Sequence, residues 1–98
     1  MGFKIIITAP AIADLKEIVT YIANDNPEAA KQTGNMIIKK AEGLSGFPFL
    51  GRVVPEFKTE NIREIIHKPY RIVYRVCESQ RIIEVVRVWH SARGTPIL

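Results

Sequence analysis

The stretch that decides the fold reads IREIIHKPYRIVYRVC over residues 62–77 and, after a short turn, RIIEVVRVWHSAR over residues 81–93. Branched and aromatic side chains dominate both segments, which predicts three β-strands, Ile62–Lys68, Tyr70–Cys77 and Arg81–His90. Pro69 separates the first two strands because proline cannot donate a ladder hydrogen bond. Arginines recur among the valines at strand spacing, so one sheet face carries positive charge that is costly to bury without a partner.

The turn between the last two strands decides which residues lie opposite each other. A two-residue turn at Ser79–Gln80, or a four-residue turn over 78–81, pairs Arg75 with Glu84. The more apolar face, which we expect the helices to cover, then carries Tyr70, Ile72, Tyr74, Val76, Ile83, Val85, Arg87 and Trp89. The opposite face, predicted to be the working face, carries Arg71, Val73, Arg75, Cys77, Ile82, Glu84, Val86, Val88 and His90. A three-residue turn would shift this register.

The N-terminal half reads as one strand followed by a helical hairpin. Phe3–Ile7 is a β-branched run that predicts the strand, and Thr8 can cap the helix that follows it. Apolar residues then recur at helical spacing on both sides of Asn24–Pro27, as Ile12, Leu15, Ile18, Val19 and Ile22 and then Ala30, Thr33, Met36, Ile37, Ala41 and Leu44. Because the linker is short, the predicted fold is α+β with the order β-α-α-β-β-β: an αα-hairpin packed on one face of a small antiparallel sheet, with residues 1–98 forming one domain.

The composition is typical of a soluble globular domain, with 47% hydrophobic and 24% charged residues among 98. The net charge of +4 belongs to residues 52–98, which hold nine Lys and Arg against five acids, whereas residues 1–51 hold five of each. This asymmetry predicts an anionic partner, either a nucleic acid or an acidic polypeptide. The lone Cys77 excludes a disulfide framework and suits the reducing cytoplasm. No apolar run approaches the roughly 20 residues that span a bilayer, so no membrane partner is expected.

Arg71, Arg75 and His90 are the residues of the predicted sheet whose chemistry could serve a site. The arginines could bind phosphate or stabilise a developing negative charge, and His90 could act as a general acid or base. Structural roles explain them as well, since Arg75 can pair with Glu84 and Arg71 can cap a carbonyl or a chain terminus. Two histidines without a matching cluster of acids or cysteines make a poor metal site, so neither a metal nor a cofactor is expected.

A set of short motifs also runs in a fixed order along nearly the whole chain. It comprises Thr8–Pro10 and Asp14–Leu15, Tyr21–Ala23 through Asn26–Pro27, Pro48 with Leu50–Arg52, Pro55–Glu56, Ile62–Glu64, Pro69–Arg75 and Val88–Arg93. This set resembles the RelE/ParE superfamily of type II toxin–antitoxin toxins. The resemblance implies a small α+β toxin that a cognate acidic antitoxin wraps and keeps inert, in a toxin–antitoxin hetero-oligomer.

The superfamily divides by target, and the resemblance leaves two targets open. RelE-like members are enzymes that cut mRNA on the ribosome without a metal, and toxins of the YoeB type would assign that catalysis here to Glu56, Arg71 and His90. However, Ser91 follows His90 where those toxins have a tyrosine, and the lysine-rich set of RelE is also absent. The Ala-rich hairpin and the His-Ser-Ala-Arg ending look more like the ParE branch, which poisons DNA gyrase. In that case contacts to the target or to phosphate are expected at Arg52, Arg63, Arg75 and Arg93.

Overall fold

Two helices pack on one face of a five-stranded sheet in the computed structural model, which describes residues 2–98. The helices are α1 (Ala9–Ala23) and α2 (Pro27–Glu42), and the strands are β1 (Lys4–Ile7), β2 (Arg52–Val53), β3 (Ile62–His67), β4 (Tyr70–Cys77) and β5 (Ile82–His90). The predicted α+β class and the helical hairpin are confirmed. Within the described residues, no helix has the length and apolar character needed to cross a membrane.

The sheet is mixed rather than wholly antiparallel. Its strand order is β1-β5-β4-β3-β2, with β1 parallel to β5 and every other neighbouring pair antiparallel. Parallel neighbours need a long connection between them, and the helical hairpin provides a crossover of that kind after β1. The two-residue β2 forms the other edge.

Both helices begin where prolines favour the first turn, at Pro10 and Pro27. Asn26 caps α2, because its side chain accepts a hydrogen bond from the Ala29 N–H at 3.1 Å. Thr8 occupies the N-cap position of α1 without making the predicted side-chain cap. Its hydroxyl instead donates to the Val85 carbonyl at 2.9 Å, which attaches the start of α1 to β5.

The main core lies between the helices and the sheet. Ile37 and Ala41 of α2 are buried against a sheet face that includes Ile72, Tyr74 and Val85, as predicted. In contrast, Ile12 and Met36 are 43% and 45% exposed. The apolar stripe on each helix is therefore wider than the face that the helix buries.

A bulge in β5 corrects the predicted register. Arg75 lies opposite Glu84 as predicted, but Val73 lies opposite Arg87, so Val86 is an extra residue in β5. An inserted residue moves every later side chain to the other face of the sheet. The predicted faces are therefore wrong beyond the bulge: Val88 packs in the helix-side core and His90 lies beside Tyr70, whereas Arg87 and Trp89 share the opposite face.

The sheet face opposite the helices is largely covered by the chain itself, so the prediction of an open working face is wrong. A second cluster joins Val73 and Val86 of this face to Val54, which follows β2. The C-terminal residues 94–98 also fold back on this face. The Gly94 carbonyl accepts the Trp89 Nε1–H at 3.1 Å.

Candidate functional site

Arg71 occupies the centre of a row of ion pairs on the sheet face opposite the helices. Its Nε donates to Glu64 Oε1 at 2.6 Å. Its Nη1 and Nη2 donate to the two carboxylate oxygens of Glu56 at 2.8 and 2.7 Å. Glu64 also accepts a hydrogen bond from Arg52 Nε at 2.7 Å. The row therefore reads Glu56, Arg71, Glu64, Arg52, with charges that alternate in sign.

Strand register brings three of these four residues together. Arg52 of β2 lies directly opposite Glu64 of β3, and Arg71 is the diagonal neighbour of Glu64 across the β3–β4 pair. Glu56 comes from the turn after β2, which the Phe57 N–H closes by donating to the Val54 carbonyl at 3.1 Å. Glu64 is the member that the sequence analysis missed. Its signal was an acidic residue inside an apolar strand, since such a residue is buried only when it is paired.

The carboxylates already neutralise Arg71. The Glu64 side chain is 0% exposed and the Arg71 side chain 9%. The hydrogen bonds from Arg71 lower the pKa of Glu56 to about 2, and the bond to Glu56 is the main cause that raises the pKa of Arg71. Glu56 and Arg71 are therefore both charged at neutral pH, and Arg71 has little unsatisfied positive charge to offer a phosphate.

His90 lies on the other face of the sheet, beside α1. Its ring meets Tyr70 edge-on with the centroids 5.5 Å apart. Its Nδ1 accepts the Ala92 N–H at 3.0 Å, so the neutral ring carries its proton on Nε2. His90 lines a cavity of about 230 Å³ whose other walls include Glu17, Tyr21 and Arg93. Of the three residues assigned to a nuclease, the structure brings Glu56 and Arg71 together and sets His90 apart from them.

Arg63 and Arg75, two of the four arginines expected to contact a target, are engaged within the fold. Arg63 donates to the Glu60 carbonyl at 2.9 Å and to the Gly51 carbonyl at 3.0 Å. Arg75 makes the predicted pair with Glu84, at a long 3.5 Å, and its side chain is 38% exposed. Arg63 therefore supports the loop before β2, whereas Arg75 keeps part of its charge at the surface.

Arg52 and Arg93 present more of their charge to solvent. The Arg52 side chain is 61% exposed although its Nε is bonded to Glu64. Arg93 stacks on Trp89 with its guanidinium carbon 4.3 Å from the ring centroid, and no ion pair to Arg93 occurs within residues 2–98. These two arginines are the members of the predicted set best placed to meet a partner.

Asp14 closes the edge of β5 where β1 ends. The pairing with β1 stops at Val85, so the strand beyond that point lacks a neighbour on this side. Asp14 accepts the Val88 N–H at 2.9 Å and both Nε and Nη2 of Arg87 at 2.8 Å. The hydrogen bonds from Arg87 to Asp14 are the main cause that raises the pKa of Arg87. The contact attaches α1 to β5 and holds Arg87 in place.

Within the described residues, no three His, Cys, Asp or Glu side chains come together in a way that could hold a metal ion. The free Cys77 thiol is partly buried beside Glu84, at 3.7 Å from Oε1. Burial and the neighbouring Glu84 raise the pKa of the thiol, which makes it a weaker nucleophile than an exposed cysteine.

The sequence matches one family over most of its length. Residues 5–94 match the model of the ParE toxin of type II toxin–antitoxin system, parDE. Toxin RelE2 of Caulobacter vibrioides is 32% identical over 91 residues, which cover 92% of this chain and 97% of that protein. Putative toxin Y4kP of Sinorhizobium fredii is 31% identical over 91 residues, which cover 91% of this chain and 88% of that protein.

Solved structures share the fold at lower identity. A structure of the chromosomal ParDE toxin–antitoxin system from P. aeruginosa superposes with a TM-score of 0.73 at 22% identity, covering 91% of this chain and 96% of that one. A mutant of E. coli toxin RelE in the free state superposes with a TM-score of 0.67 at 14% identity, covering 96% and 88%. The family match over residues 5–94 and the relatives above 30% identity carry the assignment: the chain belongs to the ParE toxin family of type II toxin–antitoxin systems, within the RelE/ParE superfamily.

Proposed function

We propose that this toxin arrests growth by poisoning DNA gyrase and that a cognate acidic antitoxin neutralises it. The observation that carries the proposal is the state of Arg71, which is buried and paired with both Glu56 and Glu64. A metal-independent nuclease needs a cation facing the scissile phosphate, together with a base and an acid within hydrogen-bond reach of the reacting groups. Arg71 would have to give up two carboxylates before it could play that part.

The position of His90 also supports gyrase as the target. It lies beside Tyr70 on the helix face, whereas Arg71 and Glu56 lie on the opposite face. The three residues are therefore poorly placed to contact one scissile phosphate together. The alternative is a RelE-like endonuclease that cuts mRNA on the ribosome with Glu56, Arg71 and His90. The name of the relative Toxin RelE2 and the fold shared with E. coli RelE keep this alternative open to test.

A gyrase poison needs a binding surface rather than an acid–base set, and Arg93 suits such a surface. Its guanidinium is stacked on Trp89, whose indole is only 2% exposed and is held by the Gly94 carbonyl. Stacking restricts the arginine before any partner arrives, so less conformational entropy is lost on binding. We therefore assign Arg93 to the target contact, with the exposed Arg52 as a second candidate.

The groove between the two helices suits an antitoxin helix. Leu15, Val19 and Ile38 line a cavity of about 340 Å³ there, with Lys16 at its side. Gly34 allows close packing of the helices, because a Cβ at this position would lie 3.2 Å from Val19 Cγ2. An amphipathic helix with an acidic flank could lay its apolar face in this groove and order itself on binding.

Expression of the toxin without its antitoxin tests the proposed target. We expect SOS induction and chromosome breaks to precede any loss of translation. Arg93→Ala should raise the Kd for the target about tenfold, which corresponds to about 1.4 kcal/mol of binding, and should lower the SOS signal as a result. Lys31→Ala, an exposed change on α2, serves as the matched control and should leave the signal unchanged. Rapid loss of translation with no SOS signal would favour the ribosome as the target.

A further inference from the structure

A cavity of about 230 Å³ lies where one face of α1 meets the start of β4 and the end of β5. Asp14, Glu17 and Tyr21 line it from the helix, because residues three, four and seven positions apart share one side of a helix. Tyr70 and His90 line it from the sheet. Pockets that hold drug-sized ligands measure roughly 300–1,000 Å³, so this cavity suits a small ligand or one end of a larger ligand.

Several polar groups of this cavity are not used by the fold. Within residues 2–98, the Glu17 carboxylate and the Tyr70 hydroxyl make neither an ion pair nor a hydrogen bond. Tyr70 is only 8% exposed, yet no fully enclosed side-chain oxygen or nitrogen of the described chain lacks a partner, so its hydroxyl opens into the cavity. Burial is the main cause that raises the pKa of Tyr70, which keeps this hydroxyl protonated. The His90 Nε2–H is a further donor, since Nδ1 accepts the Ala92 N–H.

The charges that remain available in the cavity are of opposite sign. Asp14 is neutralised by Arg87, whose guanidinium it binds with both carboxylate oxygens. Glu17, which acts on Arg87 only through space, is the acid left to meet a ligand. Arg93 also lines the cavity and makes no ion pair with Glu17. A complementary ligand therefore carries N–H donors at one end and an anion at the other.

The aromatic rings of the cavity favour a planar ligand. Tyr70 and His90 meet edge-on, and Tyr21, which is 77% exposed, forms part of the rim. Ile18 and Val88 add apolar surface. Aromatic and apolar side chains of this kind commonly hold a nucleobase that is not stacked on its neighbours. A nucleotide has such a base at one end and an anionic phosphate at the other.

The Glu17 carboxylate favours guanine over the other bases. Guanine presents two neighbouring donors on its Watson–Crick edge, N1–H and the N2 amino group, which one carboxylate can accept together. Adenine and cytosine present an amino group beside an unprotonated ring nitrogen, which repels a carboxylate. Uracil and thymine present a single N–H between two carbonyls. The O6 and N7 acceptors of guanine suit the Tyr70 hydroxyl and the His90 Nε2–H.

We propose that this cavity binds the guanine base of a nucleotide. Glu17 accepts the N1–H and N2–H groups, whereas Tyr70 and His90 donate to O6 and N7. The base enters the cavity, and the ribose and phosphate stay at the rim beside the exposed Arg93. Arg93 is also the residue assigned to the target contact, so nucleotide and target would compete for it. Only this last consequence rests on the proposed function.

Titration calorimetry of the purified toxin with guanosine 5′-monophosphate tests the proposal. The toxin should bind this nucleotide at least about tenfold more tightly than the adenosine, cytidine or uridine monophosphate. Glu17→Gln should remove the preference, because the glutamine amide offers one acceptor and sets a donor against an N–H of the base. Glu28→Gln is the matched control, since Glu28 is an exposed acid of α2 outside the cavity. It should change the Kd by less than about twofold.

Proton NMR on the unmodified toxin gives a second reading that does not depend on variants. Guanosine monophosphate should shift the ring signals of His90 and Tyr70 and leave those of Phe47, which does not line the cavity, unchanged. A short thymidine strand with one central guanine identifies the source of the base. Tighter binding of the strand than of the mononucleotide would indicate a nucleic acid, and weaker binding a free nucleotide. Either result supports a guanine site.

Three results would overturn the proposal: equal or absent binding of all the mononucleotides at millimolar concentration, unshifted His90 signals, or an unchanged Kd for Glu17→Gln. Binding of a free α-amino acid in place of the nucleotide would also overturn it, because an ammonium and a carboxylate fit the same two charges. All of these measurements use the toxin alone. Their outcome therefore stands apart from the test of the target.

Discussion

Replacing Glu64 by Gln should lower the free energy of unfolding by about 3 kcal/mol, because it removes one partner of a buried ion pair. The Glu64 side chain is 0% exposed, and its two oxygens accept hydrogen bonds from Arg71 and Arg52. Glutamine keeps the shape but turns one of those acceptors into an N–H₂ donor, which leaves a guanidinium facing a donor. For a domain of this size the melting temperature should fall by about 15 °C in calorimetry.

Glu60→Gln is the matched control for this change. Glu60 is also an acid near β3 that pairs with an arginine, but its side chain is 87% exposed and lies 3.6 Å from Arg63. An exposed pair of this kind contributes less than about 1 kcal/mol. Equal losses for the two variants would show that burial of Glu64 between Arg71 and Arg52 does not stabilise the sheet.

Gly51→Ala is expected to cost about 3 kcal/mol, because the glycine lies too close to β3 for a side chain. A Cβ at Gly51 would collide with the Glu64 carbonyl oxygen and would lie 2.8 Å from Tyr74 Oη. The Gly51 N–H also donates to that hydroxyl at 2.9 Å, and Tyr74 is fully buried. Only a movement of β2 away from β3 could relieve the collision, and it would weaken the bond between Arg52 and Glu64.

Gly46→Ala is the matched control for Gly51→Ala. No atom lies within 4 Å of a Cβ placed at Gly46, so its replacement should change the free energy of unfolding by less than about 0.5 kcal/mol. Urea denaturation of both variants, analysed at a common slope, gives the comparison. A Gly51→Ala protein as stable as the Gly46→Ala protein would contradict the close packing of β2 on β3.

The periodicity of apolar residues was sufficient to predict the helices and most of the sheet. Both helical stripes and the three long strands were predicted, and the cross-strand pair of Arg75 with Glu84 was predicted from the turn alone. The register failed at Val86, because a bulge adds one residue without changing the run of branched side chains that predicts a strand. That one residue moved Trp89 and His90 to the faces opposite those predicted.

Only part of the candidate site was predicted, because the rest depends on contacts that the local sequence pattern does not show. Arg71 was predicted from the strand pattern and Glu56 from a resemblance, and the structure brings the two together as an ion pair. An acid inside an apolar strand indicates that Glu64 is paired, but the partner Arg71 could not be predicted, since it is a diagonal contact between two strands. The stacking of Arg93 on Trp89 depends on how the C-terminal residues fold back, which local pattern does not encode.

The most direct test of the target uses the purified toxin and its His90→Ala variant. Each protein is incubated with gyrase and plasmid, and separately with mRNA on programmed ribosomes, which distinguishes a gyrase poison from a nuclease. We expect both proteins to stabilise cleaved gyrase–DNA complexes equally and to leave the mRNA intact, because His90 packs on Tyr70 and lies on the other sheet face from Arg71. Matching melting temperatures would show that the variant is folded. Cleavage of mRNA by the toxin, reduced on the order of 10²-fold or more in His90→Ala, would contradict the proposed target.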